Sequence, residues 1–186
     1  MEDLSAWYGA TIDDINVDGC RLLVVGINPG LWTAKTGAPF AHPGNRFWPA
    51  LAKAGITPRE IDARDGLDAD DLRVLDDAGL GFTNVVARAT ARASELTNDE
   101  IRAGGRVLED KVREQRELRG GPDIVMVAGI GAYRTAFGRR KARTGLQEER
   151  IGGAELWVVP NPSGLNAHET VGSLARAYGE VWRRLG

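Results

Sequence analysis

One cysteine and two histidines are all that 186 residues offer as thiolate or imidazole ligands. Cys20 alone cannot make an intrachain disulfide, a Cys-based zinc site or a four-cysteine iron–sulfur cluster. His42 and His168 stand apart with no acidic cluster beside them, which argues against a metal centre or a catalytic triad; surface or loop-structural roles are expected of both. Long apolar runs are also scarce. The longest, residues 22–25 and 124–130, fall far short of the roughly 20 residues that a membrane span needs. The chain opens Met-Glu-Asp-Leu, without a basic or apolar leader region, so no secretory signal is expected.

Charge of either sign is not in excess. The 24 basic and 26 acidic residues leave a net −2, which permits a polyanion partner on one basic face without indicating one. The distribution is uneven. Residues 60–77 carry eight acids against Arg64 and Arg73, and residues 134–150 carry six bases against Glu148 and Glu149. A 42% hydrophobic and 27% charged composition suits an ordinary globular chain. The length suits a single domain over 1–186, large enough to bury about 70% of its extended surface.

Short β-branched runs alternate with helical patterns. Residues 21–27 read as a buried strand ending at a glycine, and 80–86 and 124–128 as two more. Helices are expected over 46–54, from Thr57-Pro58 onward, from the Thr97/Glu100 capping box through Ile101, Leu108 and Val112, over 132–137, and over about 170–185. Gly152-Gly153 reads as the turn of a hairpin. This order predicts an α/β fold with a mostly parallel sheet covered on both faces. Ligands in such sheets bind beyond the carboxyl ends of the strands. Gly26-Ile-Asn-Pro-Gly30, Gly81-Phe-Thr-Asn84 and Asn161-Pro-Ser-Gly-Leu165 follow three of the strands, which sets Asn28, Asn84 and Asn161 on one rim. An asparagine offers one donor group and one acceptor without charge. That suits reading a neutral base or orienting a water, not ligating a metal or acting as a strong base. Phe40, in a Pro- and Gly-rich loop, is a face on which a planar ring can stack, whereas Phe47 and Trp48 are expected in the core.

Together with Pro39-Phe-Ala-His-Pro-Gly-Asn-Arg-Phe-Trp48, these motifs resemble the mismatch-specific uracil-DNA glycosylase family (MUG), which includes the thymine-DNA glycosylases. The resemblance covers about residues 20–185. It implies a three-layer α/β/α domain that hydrolyses the N-glycosidic bond of uracil mispaired in double-stranded DNA, initiating base excision repair without metal or organic cofactor. It also implies a monomer working in the bacterial cytoplasm and nucleoid. Carried over, Asn28 is the catalytic asparagine that positions water. Ile27, Thr33, Phe40, Asn84 and Asn161 bind the base, and the loop of Gly164, Leu165, Asn166 and Ala167 enters the duplex.

Three departures from the family pattern bear on specificity. Thr33 stands where relatives carry a smaller residue, so its methyl is expected to crowd thymine. Ala167 stands where some relatives carry an arginine, a loss that Asn166 or His168 is placed to offset. Asn84 follows the Thr-Asn form of the thymine-processing branch. Glu95 is a further candidate as auxiliary acid–base group, but an exposed charge near the start of the Thr97 helix is the better account of it. Alternatives to uracil are hypoxanthine, xanthine or an alkylated base in the same fold, and a non-catalytic mismatch- or abasic-site-binding protein.

Overall fold

The computed structural model describes residues 3–186. Strands β1 (Leu22–Gly26), β2 (Leu80–Asn84), β3 (Ile124–Ala128), β4 (Gly145–Ile151) and β5 (Ala154–Val159) form one sheet in the order β2-β1-β3-β5-β4. All neighbours pair in parallel except β4, the antiparallel arm of the Gly152-Gly153 hairpin. The helices are α1 (Leu31–Thr36), α2 (Phe47–Lys53), α3 (Ala69–Asp77), α4 (Asn98–Arg119), α5 (Ile130–Phe137) and α6 (Val171–Leu185).

Alternation along the strands divides the core in two. Leu22, Val24, Leu80, Phe82 and Met126 face Leu51 of α2, Leu75 of α3 and Leu174 and Tyr178 of α6. Leu23, Val25, Val125, Val127 and Leu156 face Ile101, Leu108 and Val112 of α4 and Tyr133 of α5. The result is the three-layer α/β/α sandwich expected, and burial on both faces explains why the strands read as unbroken apolar runs. Local signals fix the helix ends. Thr97 accepts the Glu100 N–H while Glu100 returns a bond to the Thr97 N–H, and Gly120 at φ +80° closes α4. Thr170 and Ser173 cap α6 in the same way.

Some local expectations are corrected. No helix follows Thr57-Pro58. Gly55 turns the chain at φ +74°, Thr57 donates to the Arg59 carbonyl at 2.9 Å instead of capping, and Ile56 and Ile61 are drawn into the core. The acidic run instead holds α3, where Asp68 and Asp71 form a capping box and Arg59 and Arg73 pair with Asp70. β2 stops at Asn84, beyond which the Val85 and Val86 N–H groups return to the Gly26 and Ile27 carbonyls at 2.9 Å each. α5 starts two residues early, at Ile130. The outer edge of β2 is covered by Ile15, which exchanges both backbone bonds with Phe82 (3.0 and 2.8 Å). No helix among the described residues is long and apolar enough to cross a membrane.

Candidate active site

Where β1, β2, β3 and β5 end, a cavity of about 190 Å³ opens. Ile27, Asn28, Thr33, Phe40, Asn84 and Asn161 all line it. Turns separated by more than a hundred residues therefore meet at one place, as the strand-end rule requires.

The asparagines differ in what they leave free. Asn28 Nδ2 donates to the Arg88 carbonyl at 2.9 Å and to Thr90 Oγ1 at 2.8 Å. The Thr90 hydroxyl itself donates to the Arg92 carbonyl, so it accepts from Asn28. Both contacts demand a donor, which fixes the amide orientation and leaves Oδ1 as a pure acceptor. Asn161 is oriented the other way: its Oδ1 takes the Ser163 N–H at 3.0 Å, leaving Nδ2 free to donate. Asn84 has no side-chain hydrogen bond among the described residues. Its Oδ1 lies 2.7 Å from where a Cβ on Gly26 would sit, so β1 must end in glycine for the amide to lie there.

Phe40 adopts φ +54°, uncommon for a non-glycine residue. Bonds on both sides hold it. Ala41 N–H reaches Thr33 Oγ1 at 3.4 Å, and the Pro39 carbonyl accepts from Trp48 Nε1 at 3.0 Å. Its ring stacks at 4.2 Å on the fully buried Phe47. Phe47 and Trp48 are core residues, as expected.

Two polar residues of the cavity wall, Asn45 and His42, were not assigned to the site from sequence. Asn45 Oδ1 accepts the Phe47 N–H at 2.9 Å, leaving Nδ2 as a second free donor at the cavity wall. The signal was available: Asn45 precedes a helix start in the Pro-Gly-Asn-Arg-Phe-Trp motif. His42 combines the loop role expected of it with a place in the cavity wall. Its Nδ1 accepts the Gly44 N–H at 3.0 Å, so the neutral ring carries its hydrogen on Nε2.

A second groove of about 640 Å³ adjoins the cavity and shares Gly30, Thr33, His42, Ala91 and Ser163 with it. Leu165 lies at its border and is 92% exposed. The loop behind this leucine is braced. Arg46 donates to the carbonyls of Asn166 and Glu169 at 2.9 and 3.1 Å, and Arg46 N–H to Pro162 O at 3.0 Å. A Cβ on Gly164 would stand 2.5 Å from the Gly44 carbonyl, so the two loops touch through backbone. Asn166 spends its amide inside the loop, Nδ2 on the Asn161 carbonyl and Oδ1 on the His168 N–H. Ala167 and His168 are exposed and outside the cavity wall. Glu95 is also outside it, its carboxylate capping a short turn at the Arg92 N–H (2.7 Å).

Arg88, whose carbonyl holds Asn28, is itself held by Glu100 at 2.9 and 3.2 Å. The guanidinium, and next the Thr97 N–H, depress the Glu100 carboxyl to about 2 from an ordinary 4.5. A depressed carboxyl stabilises the fold above its unfolded value and ceases to do so as pH falls through the folded one. The stability contributed by this pair is therefore expected to be whole above pH 4.5 and to vanish towards pH 2. Urea midpoints for the protein and its E100Q variant should converge across that window; a constant gap would refute it.

Topology and cavity together define an α/β protein with a neutral, amide-lined cavity at its strand tips and an apolar residue projecting beside it. The pattern of the Uracil DNA glycosylase superfamily matches residues 12–186. The chain belongs to that superfamily of DNA glycosylases. The solution structure of a Methanosarcina acetivorans protein, provisionally named a uracil DNA glycosylase, shares the fold: TM-score 0.63 and 18% identity, over 95% of this chain and 98% of that one.

Proposed function

We propose that the protein is a monofunctional glycosylase of the mismatch-specific branch, releasing uracil from mispairs in double-stranded DNA as a cofactor-free monomer in the bacterial cytoplasm. The observation that carries this reading is the fixed amide of Asn28. With Nδ2 engaged twice, Oδ1 can accept a hydrogen from one water and aim its lone pair at the anomeric carbon of an everted nucleotide. The C1′–N1 bond breaks with its electron pair on N1 of uracil, and the water oxygen bonds to C1′. Asn28 is too weak a base to take the proton, which passes to solvent or to the departing base. Stabilisation of the leaving anion must then supply most of the rate. Asn161 and Asn45 line the cavity with their Oδ1 atoms engaged, so their Nδ2 groups are the candidate donors to the carbonyl oxygens of uracil, which gain negative charge. Phe40, backed by Phe47, offers the ring its stacking surface.

Thr33 lines the cavity, is 7% exposed, and its Oγ1 accepts the Ala41 N–H, so its side chain has little room to turn away from a bound base. Uracil is expected to be released at least about tenfold faster than thymine, the usual discrimination for one methyl group. Single- and double-stranded oligonucleotides bearing U, T or hypoxanthine, followed by alkaline scission, test the whole reading. Comparable rates on G·U and G·T duplexes would remove the Thr33 argument, and no scission on any substrate would remove the activity.

A further inference from the structure

Most cations of this protein are already engaged by carboxylates or carbonyls. The loop between α5 and β4 is different. Arg139 pairs with Glu149, but Arg140, Lys141 and Arg143 are exposed and have no ion pair among the described residues. They border an open cleft of about 690 Å³. Their backbone is nonetheless held firmly. Arg134 clamps the Ala142 carbonyl with two bonds at 3.0 and 2.6 Å. Gln147 Nε2 binds the carbonyls of Arg143 and Gly145 at 2.8 and 2.9 Å, and Ala142 N–H closes on Arg139 O at 2.9 Å. A rigid loop that presents three exposed unpaired cations, with Glu148 the one unpaired carboxylate on the same cleft among the described residues, carries a net positive self-repulsion that water and salt only partly screen. An external polyanion would relieve it.

Topology says which polyanion can reach it. Gly145 pairs with Val158, at the end of β5 that leads into Asn161 and the Leu165 loop. The basic loop thus joins β4 at the same end of the sheet as the cavity. In the order β1-β3-β5-β4 it lies three strands from Asn28, about 14 Å at the usual strand spacing of about 4.8 Å. Along a duplex that is about four nucleotide steps of roughly 3.4 Å.

We propose that Arg140, Lys141 and Arg143 seat the phosphates of the duplex about four nucleotides to one side of the everted base. This rests on the glycosylase reading above, and it assigns to the basic loop a grip that the cavity and the Leu165 loop do not supply. Phosphate contacts displace counterions, so each adds about 0.9 to the slope of log affinity against log salt.

The test uses the full chain and its R140Q/K141Q/R143Q variant with a duplex bearing a tetrahydrofuran abasic analogue opposite G, binding measured from 50 to 200 mM salt. The substitutions lie on exposed side chains, and circular dichroism checks the fold. The variant is expected to bind more weakly at low salt, with a slope smaller by about 2.7 for three contacts. The affinity gap should then shrink roughly 40-fold across that range. Shortening the duplex to two pairs on one side of the lesion should abolish the gap, and shortening it on the other side should not. The rate of base release at saturating enzyme should stay within about twofold, since these residues lie outside the cavity. An unchanged salt slope would overturn the proposal and point to an acidic protein as the partner. A gap that survives both truncations would overturn it as well. Failure of the unsubstituted protein to release any base is a separate result and would sink the catalytic reading instead.

Discussion

Replacing Asn28 with alanine is expected to slow uracil release from a G·U duplex by about 10²–10³-fold in single turnover, the scale seen when one well-aimed polar group is removed from a reacting centre. Duplex binding should be nearly unaffected, because the side chain reaches only the Arg88 and Thr90 acceptors and the cavity. The aspartate variant sharpens the point. A carboxylate at position 28 would turn oxygen towards the Arg88 carbonyl and towards a Thr90 hydroxyl whose hydrogen is committed to Arg92. It would meet repulsion where the amide finds two acceptors, so N28D should be both less stable and poorly active at neutral pH. Full activity in N28A, or an N28D enzyme as fast as the unsubstituted one, would show that the water is held elsewhere.

Leu165→Ala is expected to cost 10- to 100-fold in base release while leaving the thermal midpoint within a degree or two. The reasoning turns on exposure. A side chain that is 92% exposed contributes little to the fold. Its burial in the gap left by an everted nucleotide would contribute the roughly 1.5–3 kcal/mol of a buried leucine. The loss should be smallest for a nucleotide already poorly paired, since less stacking must then be replaced. A kinetic assay comparing G·U with A·U duplexes reads that difference. Equal rates for L165A and the unsubstituted protein would deny the leucine any part in eversion.

How much of this was legible beforehand depends on how local the signal is. β1 and β3 were readable because burial on both faces makes a strand one apolar run, and α4 because Thr97 and Glu100 announce its start. Thr57-Pro58 carries the same kind of start signal and begins no helix: Ile56 and Ile61 had to enter the core, and packing overrode the cap. α3 hid inside an acidic run whose Asp68 and Asp71 were capping residues. At the cavity, strand-end asparagines could be gathered onto one rim from the alternation alone. Which atom of each amide remains free could not be read from sequence, because it depends on partners such as Arg88 and Thr90, some sixty residues away. Glu95 and Asn166 illustrate the converse, since their polar groups are consumed by the turns that contain them.

Ala89 sits between the two residues that hold the Asn28 amide, and it is fully buried. Its own backbone is fastened on both sides by the start of the chain, Gly9 N–H to Ala89 O at 2.9 Å and Ala89 N–H to Ala10 O at 2.8 Å. Gly9 and Ala10 lie just before the stretch that the superfamily pattern matches, residues 12–186. The orientation of the Asn28 amide therefore rests in part on backbone bonds from the N-terminal segment. Trimming through Ala10 is therefore expected to loosen the hold on Asn28, although neither Gly9 nor Ala10 lines the cavity.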